Sequence, residues 1–388
     1  KTGRPQQANC STPLINKFIK MAPNISEDVN GVLFESDAAT PDLALATPPV
    51  QKADNRPKQY VWRNILLFAY LHLAALYGGY LFLFSAKWQT DVFGEYCCYI
   101  NDEYCMFSAY ILYVMSGLGI TAGAHRLWAH KSYKAKWPLK VILVIFNTIA
   151  FQDAAMDWAR DHRMHHKYSE TDADPHNATR GFFFSHIGWL LVRKHPDLKE
   201  KGKGLDMSDL LSDPFLKFQK KYYLLLMPLA CFVMPTMIPV YFWGETWTNA
   251  FFVAAMFRYA FILNVTWLVN SAAHKWGDKP YDKSIKPSEN MSVAMFALGE
   301  GFHNYHHTFP WDYKTAELGN NKLNFTTTFI NFFAKLGWAY DMKTVSDDIV
   351  KNRVKRTGDG SHHLWGWGDK NQSKEEIAAA IRINPKDD

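Results

Sequence analysis

Nine of the chain's fifteen histidines are gathered at four places. HRLWAH holds His125 and His130, HRMHH holds His162, His165 and His166, HNYHH holds His303, His306 and His307, and His274 ends NSAAH. On a helix, HxxHH spacing sets positions i, i+3 and i+4 on one face, so each run can offer two or three imidazole nitrogens to a shared centre. Packing alone does not concentrate histidine this way. The pattern is that of metal ligands.

The cysteines narrow the metal. Cys10, Cys97, Cys98, Cys105 and Cys231 all lie outside the clusters and form no CxxC pair, which argues against a structural zinc site or an iron–sulfur cluster. Imidazole suits zinc, copper, nickel and iron alike. Nine nitrogens exceed what one ion can hold, so two ions are the economical count, with redox-active iron at a paired site the leading reading. The remaining histidines read differently. His72 sits in an apolar run as a satisfied helix residue, His176, His186 and His195 do not repeat the ligand spacing, and His362 and His363 fall in a Gly- and Trp-rich tail read as solvated loop.

These clusters need a frame, and hydropathy supplies a membrane. Ile65–Phe84, Met106–Ala124, Tyr222–Trp243 and Trp247–Val269 each approach the ~20 residues that cross a bilayer. Gly117, Gly119 and Gly123 interrupt the second, and Pro228, Pro235 and Pro239 the third, as spanning helices tolerate. Arg258 in the fourth must face protein, water or a head group. Leu139–Phe151 is too short to cross and reads as a buried or interfacial helix.

Charge orients the spans. The connection Ser85–Cys105 sets Lys87 against Asp91, Glu95, Asp102 and Glu103, and the turn between the third and fourth spans carries only Glu245. Arg56, Lys58 and Arg63 precede the first span; Lys131, Lys134 and Lys136 follow the second; Lys217, Lys220 and Lys221 precede the third; Lys275 and Lys279 follow the fourth. By the positive-inside rule both termini and the central loop are cytosolic, which puts all nine clustered histidines on one side. No apolar core precedes Ile65, so no cleaved secretory signal is expected, and the polar, proline-dotted arm reads as disordered. The sequons at Asn24 and Asn177 fall on the cytosolic side and are expected to be unused.

The stretches HRLWAH, WARDHRMHHKYSETDADPHN, GFFFSHIGWLLVRKHP, NSAAHKWG and GEGFHNYHHTFPWDY, in that order, resemble the membrane-bound fatty acyl-CoA desaturases of the stearoyl-CoA Δ9 type, especially those of moths. The resemblance covers roughly Tyr60 to Gly360. It implies an all-α membrane protein of the endoplasmic reticulum: four transmembrane helices under a helical cytosolic cap that holds a non-haem di-iron site. It also implies O2 as co-substrate, a fatty acyl-CoA substrate, and electrons from an NADH-dependent reductase through cytochrome b5. No nucleic-acid partner is expected. The domains would be a cytosolic arm over 1–64, a membrane desaturase domain over 65–345 and a cytosolic tail over 346–388.

The resemblance also assigns residues. The nine histidines would ligate iron directly, and Asn270 would complete a shell through water. Arg63, Asn64, Arg160, Asp161, Arg193 and Lys194 match contacts to coenzyme A, where a guanidinium can grip a phosphate bidentately and an ammonium adds a point charge. Gln152, Trp158, Thr266 and Trp267 match positions that bend the acyl chain beside the metals, although both tryptophans would also serve as interfacial anchors. Tyr113 and Gly117, one helical turn apart, match the closed end of the acyl tunnel, where a small residue leaves depth. Asp153 stands where related enzymes carry asparagine, and Gly94–Phe107 is a longer, more polar connection than the family usually has, read as an insertion in a lumenal loop. Lys286-Pro287-Ser288-Glu289 resembles a signature that accompanies Δ9 specificity with 16-carbon chains preferred over 18.

Three function classes follow: the acyl-CoA desaturase, a desaturase of other regiospecificity (such as Δ11) or a related di-iron fatty acyl hydroxylase, and a metal- or haem-binding membrane protein without chemistry. Transporters place sites near mid-membrane, whereas these clusters lie outside the spans. Bis-histidine haem needs pairs on facing helices, not HxxHH runs.

Overall fold

The computed structural model describes residues 57–86, 104–317, 323–362 and 378, which all belong to one compact unit, Gln51–Asp388. The arm through residue 56, most of Gly94–Phe107 and His363 lie outside the described residues.

Helix α1 is Trp62–Phe84. Helix α2, Tyr104–Leu118, runs on through a helical Leu118 into a π-helix, Gly119–Ala129. The amphipathic α3, Trp137–Ala150, ends at Phe151 in the left-handed conformation, and α4, Ala155–Lys167, leaves at 82° to it. Asp153 in that corner is also left-handed, with φ 68°, a conformation that asparagine and aspartate tolerate better than most residues. Helix α5, Pro214–Pro228, continues through a π-segment, Leu229–Val233, into α6, Met234–Trp243. Pro228 has no N–H to donate and its ring crowds the preceding turn, which accounts for the wider coil that follows it. A second π-segment, Ala250–Phe257, leads into α7, Arg258–Ser271.

Among the described residues, three helices are long and apolar enough to cross a membrane: Trp62–Phe84, Pro214–Phe242 and Trp247–Ser271. The α3–α4 pair passes the same test only as a bent pair, and its second arm carries Asp157, Arg160, Asp161, Arg163 and three histidines. The chain is a multi-pass membrane protein. Two glycines allow its helices to touch backbone to backbone. A Cβ at Gly119 would lie 2.2 Å from the Asn147 nitrogen, locking the π-helix against α3, and one at Gly78 would lie 2.1 Å from the Phe252 carbonyl oxygen. Arg258 faces protein: it donates to the Ala254 carbonyl at 3.0 Å, the Ser116 hydroxyl at 2.9 Å and the Cys231 carbonyl at 3.0 Å.

The cap closes with α8, Met291–Phe296; α9, His303–Thr308; α10, Phe325–Lys335; and α11, Asp347–Thr357. A two-stranded antiparallel ladder, Lys134–Ala135 with Ala339–Tyr340, ties the segment after the second histidine to the chain beyond α10. Helix α11 buries Val350 and Val354 in a cluster with Tyr281, Tyr305 and Phe309, so the described part of the tail is built into the cap. His362 corrects an expectation. Instead of lying in a solvated loop it is buried, hydrogen-bonded to Glu317 and edge-on to the Tyr281 ring. Composition marked it as loop, whereas its burial comes from residues distant in the chain.

Candidate metal centre and acyl cavity

HRLWAH places its histidines five residues apart, which an α-helix would spread over different faces. The π-helix resolves this, because i→i+5 bonding stacks residues five apart. The His130 N–H donates to the His125 carbonyl at 3.0 Å, and the two rings stand 4.9 Å apart. Glycines at 119 and 123 and the close approach of α3 accompany this wider coil.

The nine histidines gather into two groups. His125, His130, His162, His166 and His306 form one, His165, His274, His303 and His307 the other, and within each the candidate ligand atoms all lie within 4.8 Å of one another. Each HxxHH run is divided: on α4, His162 and His166 turn to the first group and His165 to the second, while on α9, His303 and His307 turn to the second and His306 to the first. A run whose spacing suggested one shared centre is therefore divided between two groups. In the first group His130 and His162 approach to 2.8 Å between Nε2 atoms, and His306 lies 3.0 Å from both His125 and His166. In the second, His303 Nε2 lies 3.0 Å from His274 and 3.1 Å from His307.

The opposite ring nitrogens show why these atoms converge. His125 Nδ1 faces Glu300 at 2.9 Å, His165 Nδ1 faces Asp174 at 2.9 Å, and His274 Nδ1 faces Glu170 at 3.0 Å. A carboxylate there holds the ring proton on Nδ1 and leaves Nε2 as a bare lone pair pointing inward. Lone pairs facing one another at ~3 Å repel unless a cation lies among them, and this is about the edge spacing of imidazoles bound ~2.1 Å from one ion. The residues thus fit two metal ions. Burial, followed by the neighbouring imidazoles, pushes His130, His162, His166, His303, His306 and His307 well below the usual histidine range, so they stay neutral, the ligating form. Burial opposes ionisation of Asp174, but His165 and His176 outweigh it and hold that carboxyl down to about 2.

The histidine-bearing elements are themselves held. Glu289 accepts the Tyr305 N–H at 2.8 Å, supplying an acceptor at the start of α9, and Asn304 Oδ1 takes the N–H groups of Tyr281 and Asp282 at 2.9 and 3.1 Å. Ser288 donates its N–H to the Ala273 carbonyl at 2.7 Å, tying Lys286–Glu289 to the segment that carries His274. The signature before the last cluster is thus a strap between two histidine-bearing segments.

Beside the histidine groups opens a narrow, largely apolar cavity that is partly open to solvent. Gly117, Trp158, Thr266 and Asn270 line it together with His125, His162 and His303. Trp158 stacks on His162, and Gln152 donates to Thr266 at 3.0 Å. Three expected residues are not part of the lining: Trp267, Tyr113 and Gln152, the last of which reaches it only through Thr266. Trp267 is buried behind the lining against Phe68, His72 and His186, and Tyr113 bonds the Phe296 carbonyl beyond Gly117. Neither tryptophan is an exposed interfacial anchor.

The residues expected to meet coenzyme A are joined by contacts. Asp161 pairs with both Arg160 and Lys194, and the Arg193 N–H donates to the Gln59 carbonyl at 2.9 Å. Asn64 donates to the Leu190 carbonyl at 2.8 Å, and Arg63 is exposed beside it. Of the histidines set aside, His176 lies beside His165 with the two rings tilted, 4.4 Å between centroids, His186 bonds Ser271 and Asn264, and His195 sits with Asp172 and Asp197. The three carboxylates and Arg126 escaped sequence reasoning. The available signal was acidic residues flanking the histidine runs, in SETDAD and GEGFH, since ligating histidines almost always have an acceptor behind them.

The chain is similar to known proteins over most of its length. The chain is 63% identical over 367 residues to the Acyl-CoA Delta-9 desaturase of Acheta domesticus, covering 93% of this chain and 98% of that one. It is 57% identical over 356 residues to the Acyl-CoA Delta(11) desaturase of Trichoplusia ni, covering 92% and 95%, and 53% identical over 340 residues to Stearoyl-CoA desaturase 2 of Mus musculus, covering 87% and 86%. The profile described as Fatty acid desaturase matches residues 104–317, which run from α2 to just beyond the last histidine cluster, and the chain belongs to that family.

Proposed function

We propose that the chain is an acyl-CoA Δ9 desaturase of the endoplasmic reticulum. It introduces a cis double bond into saturated 16- and 18-carbon acyl-CoA, using O2 and electrons delivered by cytochrome b5 from its NADH-dependent reductase. The observation that carries this reading is the pair of imidazole groups at the wall of an apolar cavity.

An unactivated methylene C–H bond needs an oxidant that no side chain provides, and two irons held by the nine histidines supply that chemistry with O2. The chain's own residues do the rest. Ile262, Val265 and Val269 give the acyl chain a dry wall, and Trp158, stacked on His162, fixes the cavity next to the first metal group. Asn270, which lines the same cavity as His303, would hold a water ligand. The Arg160, Asp161, Arg193 and Lys194 face, with Arg63 and Asn64, would fix coenzyme A outside. Clamping the head sets the count from the thioester to the carbons beside the metals.

Regiospecificity is the finer part of the proposal. Relatives named for Δ9, Δ11 and Δ12 activity are 63%, 57% and 55% identical to this chain, so overall identity does not choose among them. Expression in yeast lacking its own Δ9 desaturase should restore growth without added unsaturated fatty acid and yield Δ9 16- and 18-carbon products. Δ11 or hydroxylated products would overturn the assignment. For topology, a C-terminal tag should be exposed on sealed microsomes and a tag inserted in Gly94–Phe107 protected. The reverse pattern would put the histidines in the lumen, away from cytochrome b5.

A further inference from the structure

The turn between α8 and α9 contains a leucine in an unusual conformation. Leu298 has φ 55°, in the left-handed region that non-glycine residues seldom occupy. Its neighbours hold it there. The Leu298 carbonyl accepts the Thr326 N–H at 3.2 Å and the Thr326 hydroxyl at 2.9 Å. With that proton committed, Thr326 accepts in turn from the Thr121 hydroxyl of the π-helix, at 2.8 Å. The next residue, Gly299, has φ 113° and lies so close to Asn324 that a Cβ there would meet its side-chain oxygen at 2.5 Å. A backbone held this way against its own preference is a candidate for function.

The consequence lies in the cavity. Leu298 lines it, and its Cδ1 is 2.6 Å from where a Cβ on Gly117 would sit, with Ile262 next at 3.7 Å. The room left by the missing side chain of Gly117 is therefore taken up by Leu298. Two residues further on, Glu300 bonds Arg126 and faces His125. One short turn thus fixes both a wall of the cavity and the partner of a candidate ligand, at a set distance from each other.

We propose that Leu298 is a specificity-determining residue. Its side chain, aimed at Gly117 by the left-handed turn, is the stop that limits how far an acyl chain runs past the metal groups. The proposal rests on the acyl-tunnel reading above. It adds that the depth is set jointly by two residues in contact, and such pairs give non-additive effects.

The test is a competition among 14-, 16-, 18- and 20-carbon acyl-CoA substrates in microsomes containing the full chain, scored as product ratios so that the amount of folded enzyme cancels. Leu298→Ala should raise the ratio of longer to shorter products by about tenfold, the discrimination attached to a methylene or more of apolar room, and Leu298→Phe should lower it. Leu298→Met should stay near wild type. Gly117→Ala should favour shorter chains in the wild type, where the new methyl meets Leu298, and have little effect in Leu298→Ala. Unchanged ratios in both Leu298→Ala and Leu298→Phe, or the same Gly117→Ala effect in both backgrounds, would overturn the proposal. A loss of activity equal for every chain length would mark Leu298 as merely structural and count against it. Gly117→Leu separates the two levels: if even that variant leaves product length unchanged, the cavity is not the acyl tunnel.

Discussion

His306→Ala is expected to reduce desaturation to background while the protein still accumulates in membranes. His306 is buried on α9, and its Nε2 lies 3.0 Å from those of both His125 and His166, so it joins ligands carried by the π-helix and by α4. Its removal takes one nitrogen of five from the first group and leaves the second group intact. Purified wild type should hold about two irons per chain and the variant about one, read by metal analysis beside a circular dichroism spectrum that shows the helices retained. His165→Ala should do the same to the second group. Substituting a carboxylate behind a ligand is a smaller lesion. Glu170→Gln keeps an acceptor for His274 and should cost roughly 10–100-fold in activity or metal affinity, as outer partners of metal ligands generally do. Full activity in His306→Ala or His165→Ala would sink the ligand assignment.

The contrast between those lesions follows what the amino-acid order can and cannot carry. The candidate ligands are local features: HxxHH puts nitrogens on one helical face whatever surrounds it, and the eight clustered histidines, with His274 supplied by the resemblance, all belong to the two groups. Three of the four expected spans were equally legible, because a bilayer imposes a length and an apolar composition that each helix must meet by itself; Met106–Ala124, whose chain runs into the π-helix, is not among the three helices that meet that test in the described residues. Division of each run between two centres was not, since it depends on how α4 and α9 face each other. Nor was the π-helix that brings His125 over His130. Only an i+5 pair among glycines hinted at it. Trp267 was read from the same local match as Thr266, yet adjacent residues on a helix point in different directions. One lines the cavity, while the other packs behind it.

Arg126, a fully enclosed charge, shows the same limit and should give a large stability effect. It has 0% exposure, and its guanidinium donates to Glu300 Oε1 at 3.0 and 2.8 Å, a partner 174 positions away. It also donates to the Tyr313 carbonyl and the Thr327 hydroxyl, both at 2.9 Å, and to Asn324 at 3.2 Å. The Arg126 charge holds the Glu300 carboxyl ionised although burial opposes it. Arg126→Ala would strip a buried carboxylate of its counter-charge and leave the other acceptors bare, a change that typically costs ~3–5 kcal/mol. The variant is expected to accumulate poorly and, in detergent, to melt well below the wild type. Arg126→Lys should not repair it, because one ammonium cannot reach acceptors spread around a planar fork. The double variant Arg126→Leu with Glu300→Leu removes both buried charges and should recover much of the stability, but not the activity, because His125 Nδ1 then has no acceptor and its tautomer is no longer fixed. Recovery of activity with stability would mean that the Glu300–His125 contact does not set the metal centre. An Arg126→Ala variant as stable as the wild type would mean that this buried pair does not hold the cap together.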